Sequence, residues 1–287
     1  MRILVLFAHY FSAEANPRHA STNEKRRDDR RAAIEAAICA YRGMVGATTT
    51  MDVATRSFLP GVGSEDQMDI IAVTTGGKHL LEPDFCTRHA VKVADVPLEN
   101  PRMLGFEAQA IMAQQRNAYD LFVFSEDDLK VSDPSFFAKL AWFNDTYGYR
   151  RVLFPNRLEW NRSAPTLKTY IDGDLMPKIA RDMMSFVADD DILYGAPLGQ
   201  KTVFRRARNP HSGFFAVTRD QLAYWIEQKH WLDRDCGFIS PLESAATLGI
   251  AKTFSIFKGF GRSASFLEIE HLDNGFSSLK LPVRARM

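Results

Sequence analysis

Residues 119–134 read Tyr119-Asp120-Leu121-Phe122-Val123-Phe124-Ser125-Glu126-Asp127-Asp128-Leu129-Lys130-Val131-Ser132-Asp133-Pro134. An apolar run, Leu121 to Phe124, stops abruptly in three consecutive acids. The run is short, aromatic or β-branched, and follows a polar helical pattern, so it reads as a buried strand. Three carboxylates at the end of a buried strand repel one another and are costly to desolvate. A divalent cation is the usual relief, and magnesium and manganese prefer oxygen ligands. The stretch therefore predicts a metal-assisted phosphate site in an α/β protein. The competing reading is a solvated acidic turn.

On either side, helical and strand patterns alternate. Residues 103–117 carry Met103, Leu104, Phe106, Ala110, Ile111 and Ala113 mostly on one side, as a helix would. Asp133-Pro134 opens a helix through about Tyr147, with Asp as cap and Pro in the first turn. Upstream, residues 3–8 form a first strand, 24–42 a helix closing at Gly43, and 49–54 and 69–74 two strands. Downstream, 152–155 and 213–217 are strands. Thr218 and Gln221 form a capping box for a helix at 219–229. Ser240, Pro241 and Glu243 open a helix ending at Gly249, and 252–257 and 266–271 are late strands. This order predicts a single α/β domain over residues 1–287, a mainly parallel central sheet flanked by helices. Ligands of such sheets sit outside the carboxyl ends of the strands, where the three acids fall.

Composition is that of an ordinary globular protein: 287 residues, 46% hydrophobic and 25% charged. A net charge of +1 creates no field that would draw nucleic acid. Cys39, Cys86 and Cys236 are odd in number and irregularly spaced. They fit neither a disulfide framework nor a zinc site, and favour a reducing compartment. The opening run Ile3 to Ala8 is too short for a signal-peptide core or a membrane span. The expected setting is cytoplasmic, with at most peripheral contact at the inner face of a membrane.

The chain resembles nucleotide-sugar glycosyltransferases of the GT-A fold. The resemblance is carried by the segment Tyr119 to Asp128, the Asp133-Pro134 helix, and the strand–helix unit Asn209-Pro210-His211-Ser212-Gly213-Phe214-Phe215-Ala216-Val217-Thr218-Arg219-Asp220-Gln221-Leu222. Residues 151–174 look like a bacterial subgroup of these enzymes. The resemblance implies a nucleotide-sugar-binding half (1–130) and an acceptor-binding half (131–287). It also implies a metal ion, Mn2+ or Mg2+, on the donor diphosphate. Glu126-Asp127-Asp128 would be a variant of the family's Asp-x-Asp triplet, with Asp128 the best direct ligand. Glu126 and Asp127 would contact the ribose or metal-bound water. The metal set would be Asp128, Glu126 and His271, a late histidine after the strand Phe266 to Glu270. A lone histidine at a strand end is also often just a hydrogen-bonded side chain. His9, Tyr10 and Phe11, at the end of the first strand, would meet the base and ribose.

The resemblance also implies a catalytic base near the start of a late helix. Glu243 is the first candidate and Asp235 the second. A capping box at Ser240-x-x-Glu243 would explain the same acid without catalysis. Among Lys25-Arg26-Arg27-Asp28-Asp29-Arg30-Arg31, most side chains suit a solvated helix face, and one arginine could face the phosphates. Arg205-Arg206-x-Arg208 could be a mobile loop over the diphosphate, a contact for an anionic acceptor, or a plain surface loop.

There is no G-x-x-x-x-G-K-[ST], no G-x-G-x-x-G after the first strand and no G-x-S-x-G. These absences argue against a P-loop enzyme, a dinucleotide dehydrogenase and a serine hydrolase. The leading expectation is a metal-dependent hexosyl- or N-acetylhexosaminyltransferase. It would move a sugar from a nucleotide-diphosphate donor to a saccharide or lipid-linked acceptor in cell-surface polysaccharide synthesis. A sugar nucleotidylyltransferase is the alternative, although Ser12-Ala13-Glu14-Ala15 stands where its Gly-rich basic loop would be. A non-catalytic carbohydrate-binding protein of the same fold is the third reading.

Overall fold

The computed structural model describes residues 1–14, 20–61, 63–160, 168–273 and 275–279. Ala15 and residues 161–167 of the 151–174 stretch lie outside them. In chain order the elements are β1 Arg2–Ala8, α1 Arg27–Val45, β2 Thr49–Asp52, β3 Ser57–Pro60, β4 Gln67–Thr74, α2 Pro83–Arg88, β5 Val91–Asp95, α3 Leu104–Gln114, β6 Leu121–Glu126, β7 Leu129–Lys130 and α4 Phe136–Tyr147. There follow β8 Arg151–Leu153, β9 Asn156–Trp160, β10 Lys168–Tyr170, α5 Pro177–Met184, β11 Ile192–Gly195, β12 Thr202–Arg206, β13 Phe214–Thr218, α6 Arg219–Ile226, α7 Pro241–Thr253, β14 Ser255–Gly259 and β15 Glu268–His271.

The central sheet has the order β13-β6-β1-β4-β5, all parallel except β13, which runs antiparallel to β6. Both faces of β1 are covered, which is why its sequence is apolar without alternation. Ile3, Val5 and Phe7 pack with Ile34, Ile38 and Tyr41 of α1 on one side. Leu4, Leu6 and Ala8 pack with Leu104, Ala108 and Met112 of α3 on the other. β6 divides likewise, Leu121 and Val123 facing the first core and Phe122 and Phe124 the second. Phe124 stacks on Phe215 of β13 at 5.3 Å between ring centres. Burying one such side chain contributes roughly 1.5–3 kcal/mol.

The register brings the strand ends level. Ala8 pairs with Val73 on one side and Glu126 on the other. β13 enters the sheet at this same edge, Phe214 lying opposite Ser125. The predicted mainly parallel sheet is thus present, and it draws a strand from the later half of the chain.

The later half departs from a continued parallel sheet. It forms two four-stranded sheets of order β10-β9-β15-β7 and β11-β12-β14-β8, in which antiparallel pairs predominate. Several predicted helix ends also move, α3 stopping at Gln114 and not 117. α1 continues through Gly43 and stops at Gly46. α7 continues through Gly249 to Thr253, because Gly249 is a packing glycine: a Cβ there would press into the Trp225 indole. The Thr218–Gln221 capping box forms with both of its bonds, although α6 ends at Ile226. Cys39, Cys86 and Cys236 are free thiols. Among the described residues no helix is long and apolar enough to cross a membrane.

Candidate functional site

A cavity of about 830 Å3 opens at the carboxyl edge of the central sheet, and Glu126, Asp127, Asp128 and Glu243 all line it. The acids reach it for reasons of register. β6 ends at Glu126, and the backbone then turns into β7, leaving Asp127 and Asp128 in the turn. Gly213 makes room for the Glu126 carboxylate. It sits at φ +59°, its carbonyl accepts the Glu126 amide at 2.8 Å, and a Cβ there would collide with the Glu126 carboxylate. An L side chain is penalised on both counts.

Each acid has a distinct environment. Asp127 is buried and held from two sides. His9 Nδ1 lies 2.6 Å from one of its oxygens, and Arg30 donates to the other. Burial alone would raise the Asp127 carboxyl, but the Arg30 charge and the His9 hydrogen bond outweigh it and hold it down at about 2. Asp128 accepts Arg30 at 2.7 Å through Oδ2, while its buried Oδ1 has no hydrogen-bond partner among the described residues. Glu126 is pushed up to about 8, first by burial and then by the charges of Asp128, Glu243 and Asp127, against the pull of Arg157 at 3.7 Å. A buried carboxylate oxygen without a partner is costly, and a cation or an ordered water would relieve it.

Among the described residues, no group of three or more His, Cys, Asp or Glu side chains is arranged to hold a metal on its own. Asp128, Glu126 and His271 thus do not close into a cage. Arg30 takes Asp128 Oδ2, and His271 Nε2 faces that same oxygen at 3.7 Å. The expected metal set of Asp128, Glu126 and His271 is therefore not assembled; a magnesium- or manganese-type ion commonly uses one or two carboxylates and completes its shell with phosphate oxygens and water. Asp128 Oδ1 fits such an ion.

His271 comes to Asp128 through strand pairing, since it lies opposite Leu129 across β15 and β7. The fully buried Glu159 lies 2.7 Å from His271 Nδ1 and accepts the Phe276 and Ser277 amides at 3.3 and 2.5 Å. A carboxylate behind the histidine fixes the ring's orientation. The sequence pattern gives no site role to Glu159, nor to Arg157 of the 151–174 stretch, which grips Asp172 at 2.8 Å and approaches Glu126. Both lie on β9, where Arg157-Leu158-Glu159 is buried throughout and gives no pattern to notice.

His9, Tyr10 and Phe11 separate in space. Tyr10 lines the cavity. His9 is fully buried, and its Nε2 accepts the Leu80 amide at 3.0 Å. An amide can only donate, so Nδ1 carries the hydrogen that reaches Asp127. His9 stands behind Asp127 and is not at the cavity wall. Phe11 is buried under the Arg27 guanidinium, 5.3 Å from its ring centre.

In the basic stretch at the start of α1, Arg30 is the arginine that lines the cavity. Arg26 pairs with Asp273 and Asp29, Arg27 with Glu24, and Arg31 with Glu82. Glu243 sits in the first turn of α7. The predicted capping box does not form there: the Ser240 hydroxyl donates to the Glu243 carboxylate instead of accepting a backbone amide. Asp235 lies off the cavity wall. It accepts Lys252 at 2.8 Å and the Gly237 amide at 2.8 Å, and the Lys252 hydrogen bond holds its carboxyl low. The Arg205-Arg206-x-Arg208 segment is not a loop for most of its length. Arg205 and Arg206 belong to β12, and the buried Arg206 donates to the Met184 and Val187 carbonyls at 2.9 Å each.

No protein-family model matches this chain, and no curated protein matches it. Solved structures similar to it include glucosyl-3-phosphoglycerate synthase from Mycobacterium tuberculosis in complex with Mg2+ and uridine diphosphate, at 14% identity over 76% of this chain and 56% of that one, TM-score 0.32. The chain thus spans just over half the length of that enzyme. Two others are CMP:2-keto-3-deoxy-manno-octonic acid synthetase complexed with CTP (11% identity, 94% and 89% covered, TM-score 0.36) and mannose-1-phosphate geranyltransferase from Thermus thermophilus (11%, 94% and 73%, 0.37). At scores this low the likeness adds nothing to what the site's own residues support.

Proposed function

We propose that the protein is a metal-assisted glycosyltransferase that takes its sugar from a nucleotide-diphosphate donor. The observation that carries this reading is the buried Oδ1 of Asp128, without a partner among the described residues, within an acid cluster at the mouth of a parallel sheet. Asp128 would hold a divalent cation, with Glu126 as its second carboxylate once ionised. That cation would offset the charge growing on the departing diphosphate. Arg30, fixed by Asp127 and Asp128, presents a second positive charge to the same phosphates. Tyr10 offers a ring for the base. The cavity is large enough for a nucleotide sugar by the usual range of ligand pockets, about 300–1,000 Å3.

Glu243 is proposed as the base. It would take the proton of an acceptor hydroxyl as that oxygen bonds to the anomeric carbon. The bond from that carbon to the phosphate oxygen breaks, and its electron pair leaves with the nucleoside diphosphate. Ser240 keeps the Glu243 carboxylate oriented by its hydrogen bond. A saccharide or lipid-linked acceptor and a role in surface polysaccharide synthesis complete the proposal.

The test is incubation with a panel of nucleotide sugars and manganese, reading the leaving group. Release of nucleoside diphosphate by the wild type and not by Asp128→Ala supports the reading. Pyrophosphate exchange would assign a nucleotidylyltransferase, and no turnover of any donor would remove the enzymatic reading.

A further inference from the structure

A second, smaller cavity of about 140 Å3 lies beside the pairing of β12 with β14. Arg205 and Lys258 stand directly opposite each other in that pairing, so their side chains leave the same face of the sheet. Arg208 and Asn209 follow at the end of β12 and complete the basic wall. At this size the cavity falls below the roughly 300 Å3 at which small-molecule pockets begin, so it takes one compact group.

The charges here do not balance. Asp174 is shared between Arg205 at 2.5 Å and Arg208 at 3.7 Å. Asp172 is shared between Arg157 at 2.8 Å and Lys258 at 3.2 Å. Arg157 turns also towards Glu126. Between one and two positive charges therefore lack a counterpart among the described residues. Lys258 is only 7% exposed, and burial lowers its pKa, as expected of a cation short of negative charge. Its ammonium donates to the His211 carbonyl at 2.6 Å and to Asp172, and its third hydrogen has no acceptor among the described residues. The Arg205 guanidinium lies 4.1 Å over the Phe260 ring, which holds its plane in position.

We propose that this cavity is a binding site for a phosphoryl group, as free phosphate or as the terminal monoester of a larger substrate. A phosphate monoester carries about −1.5 to −2 charge at pH 7, which matches the surplus. Its tetrahedral oxygens can accept from Arg205, Arg208 and Lys258 together. The site is separate from the acid cluster and does not depend on the glycosyltransferase reading.

Calorimetric titration of the full-length protein in chelator tests it, with inorganic phosphate and glucose 1-phosphate as probes. Wild type should bind phosphate. Arg208→Ala and Arg205→Gln should each weaken binding about tenfold, as loss of one charged hydrogen bond does. Asp128→Asn should leave binding unchanged. Arg208 is half exposed, so its variant tests the site without threatening the fold. Glucose 1-phosphate binding tighter than phosphate would mark the terminal group of a larger ligand, and equal affinity would mark free phosphate. The proposal is overturned if millimolar phosphate does not bind wild type, or if both arginine variants bind it normally. Tighter binding in Asp128→Asn, with both arginine variants binding normally, would put the phosphate in the main cavity beside that carboxylate, and would overturn it too.

Discussion

In the metal-free protein the acid cluster should be a source of instability, and Glu126→Gln exposes it. The Glu126 carboxyl rises from an ordinary 4.5 to about 8. Below pH 4.5 both the folded and the unfolded chain carry it protonated, so it makes no difference. Between 4.5 and 8 the unfolded chain gives up the proton first, and the folded state loses about 1.4 kcal/mol per pH unit relative to it. Above pH 8 the deficit levels off, on the order of 5 kcal/mol. Glutamine keeps the shape and stays neutral, so the variant avoids this loss. Thermal denaturation in EDTA should give nearly equal midpoints for the two proteins near pH 4.5. At pH 9 the variant should lead by on the order of 10 °C, taking about 2–4 °C per kcal/mol for a chain of this size. Manganese with a nucleoside diphosphate should reverse the order by stabilising the wild type alone. A midpoint difference that stays constant from pH 5 to pH 9 would refute the crowding of Glu126.

Two further outcomes follow from the same geometry. Gly213→Ala should lower stability by at least ~2 kcal/mol, because alanine resists the left-handed backbone and its Cβ displaces the Glu126 carboxylate; a denaturation midpoint equal to wild type would contradict this. Glu243→Gln should leave the donor's dissociation constant unchanged while slowing transfer by about 10²–10⁴-fold, the range for a positioned general base, and undiminished transfer would dismiss Glu243 as that base.

What could be read from the chain alone was whatever depends on neighbours in sequence. Leu121 to Phe124 needed only its own apolarity to be a buried strand, and the acids after it had to fall at that strand's end. Thr218 and Gln221 form their capping box because it is closed within one turn. What lay hidden depends on contacts across long separations. Arg30 differs from Arg27 and Arg31 only in helix phase, and it takes the packing of α1 against the β6–β7 turn to single it out. His271 was in view, but its approach to Asp128 is set by the β15–β7 register, 143 residues away in sequence (271 − 128). Glu159 carried no signal, being an acid inside a strand whose partner is that histidine. Gly249 read as a helix stop because nothing local announces the Trp225 ring against it. Asp235 read as a spare base because its lysine partner lies on the following helix.

Manganese binding followed by electron paramagnetic resonance, with and without each common nucleoside diphosphate, tests the central claim most directly. At least one diphosphate should tighten manganese binding about tenfold or more in the wild type, with no such gain in Asp128→Asn. If no nucleotide alters manganese affinity, or if Asp128→Asn responds as the wild type does, the acids after Phe124 do not hold a metal–diphosphate complex.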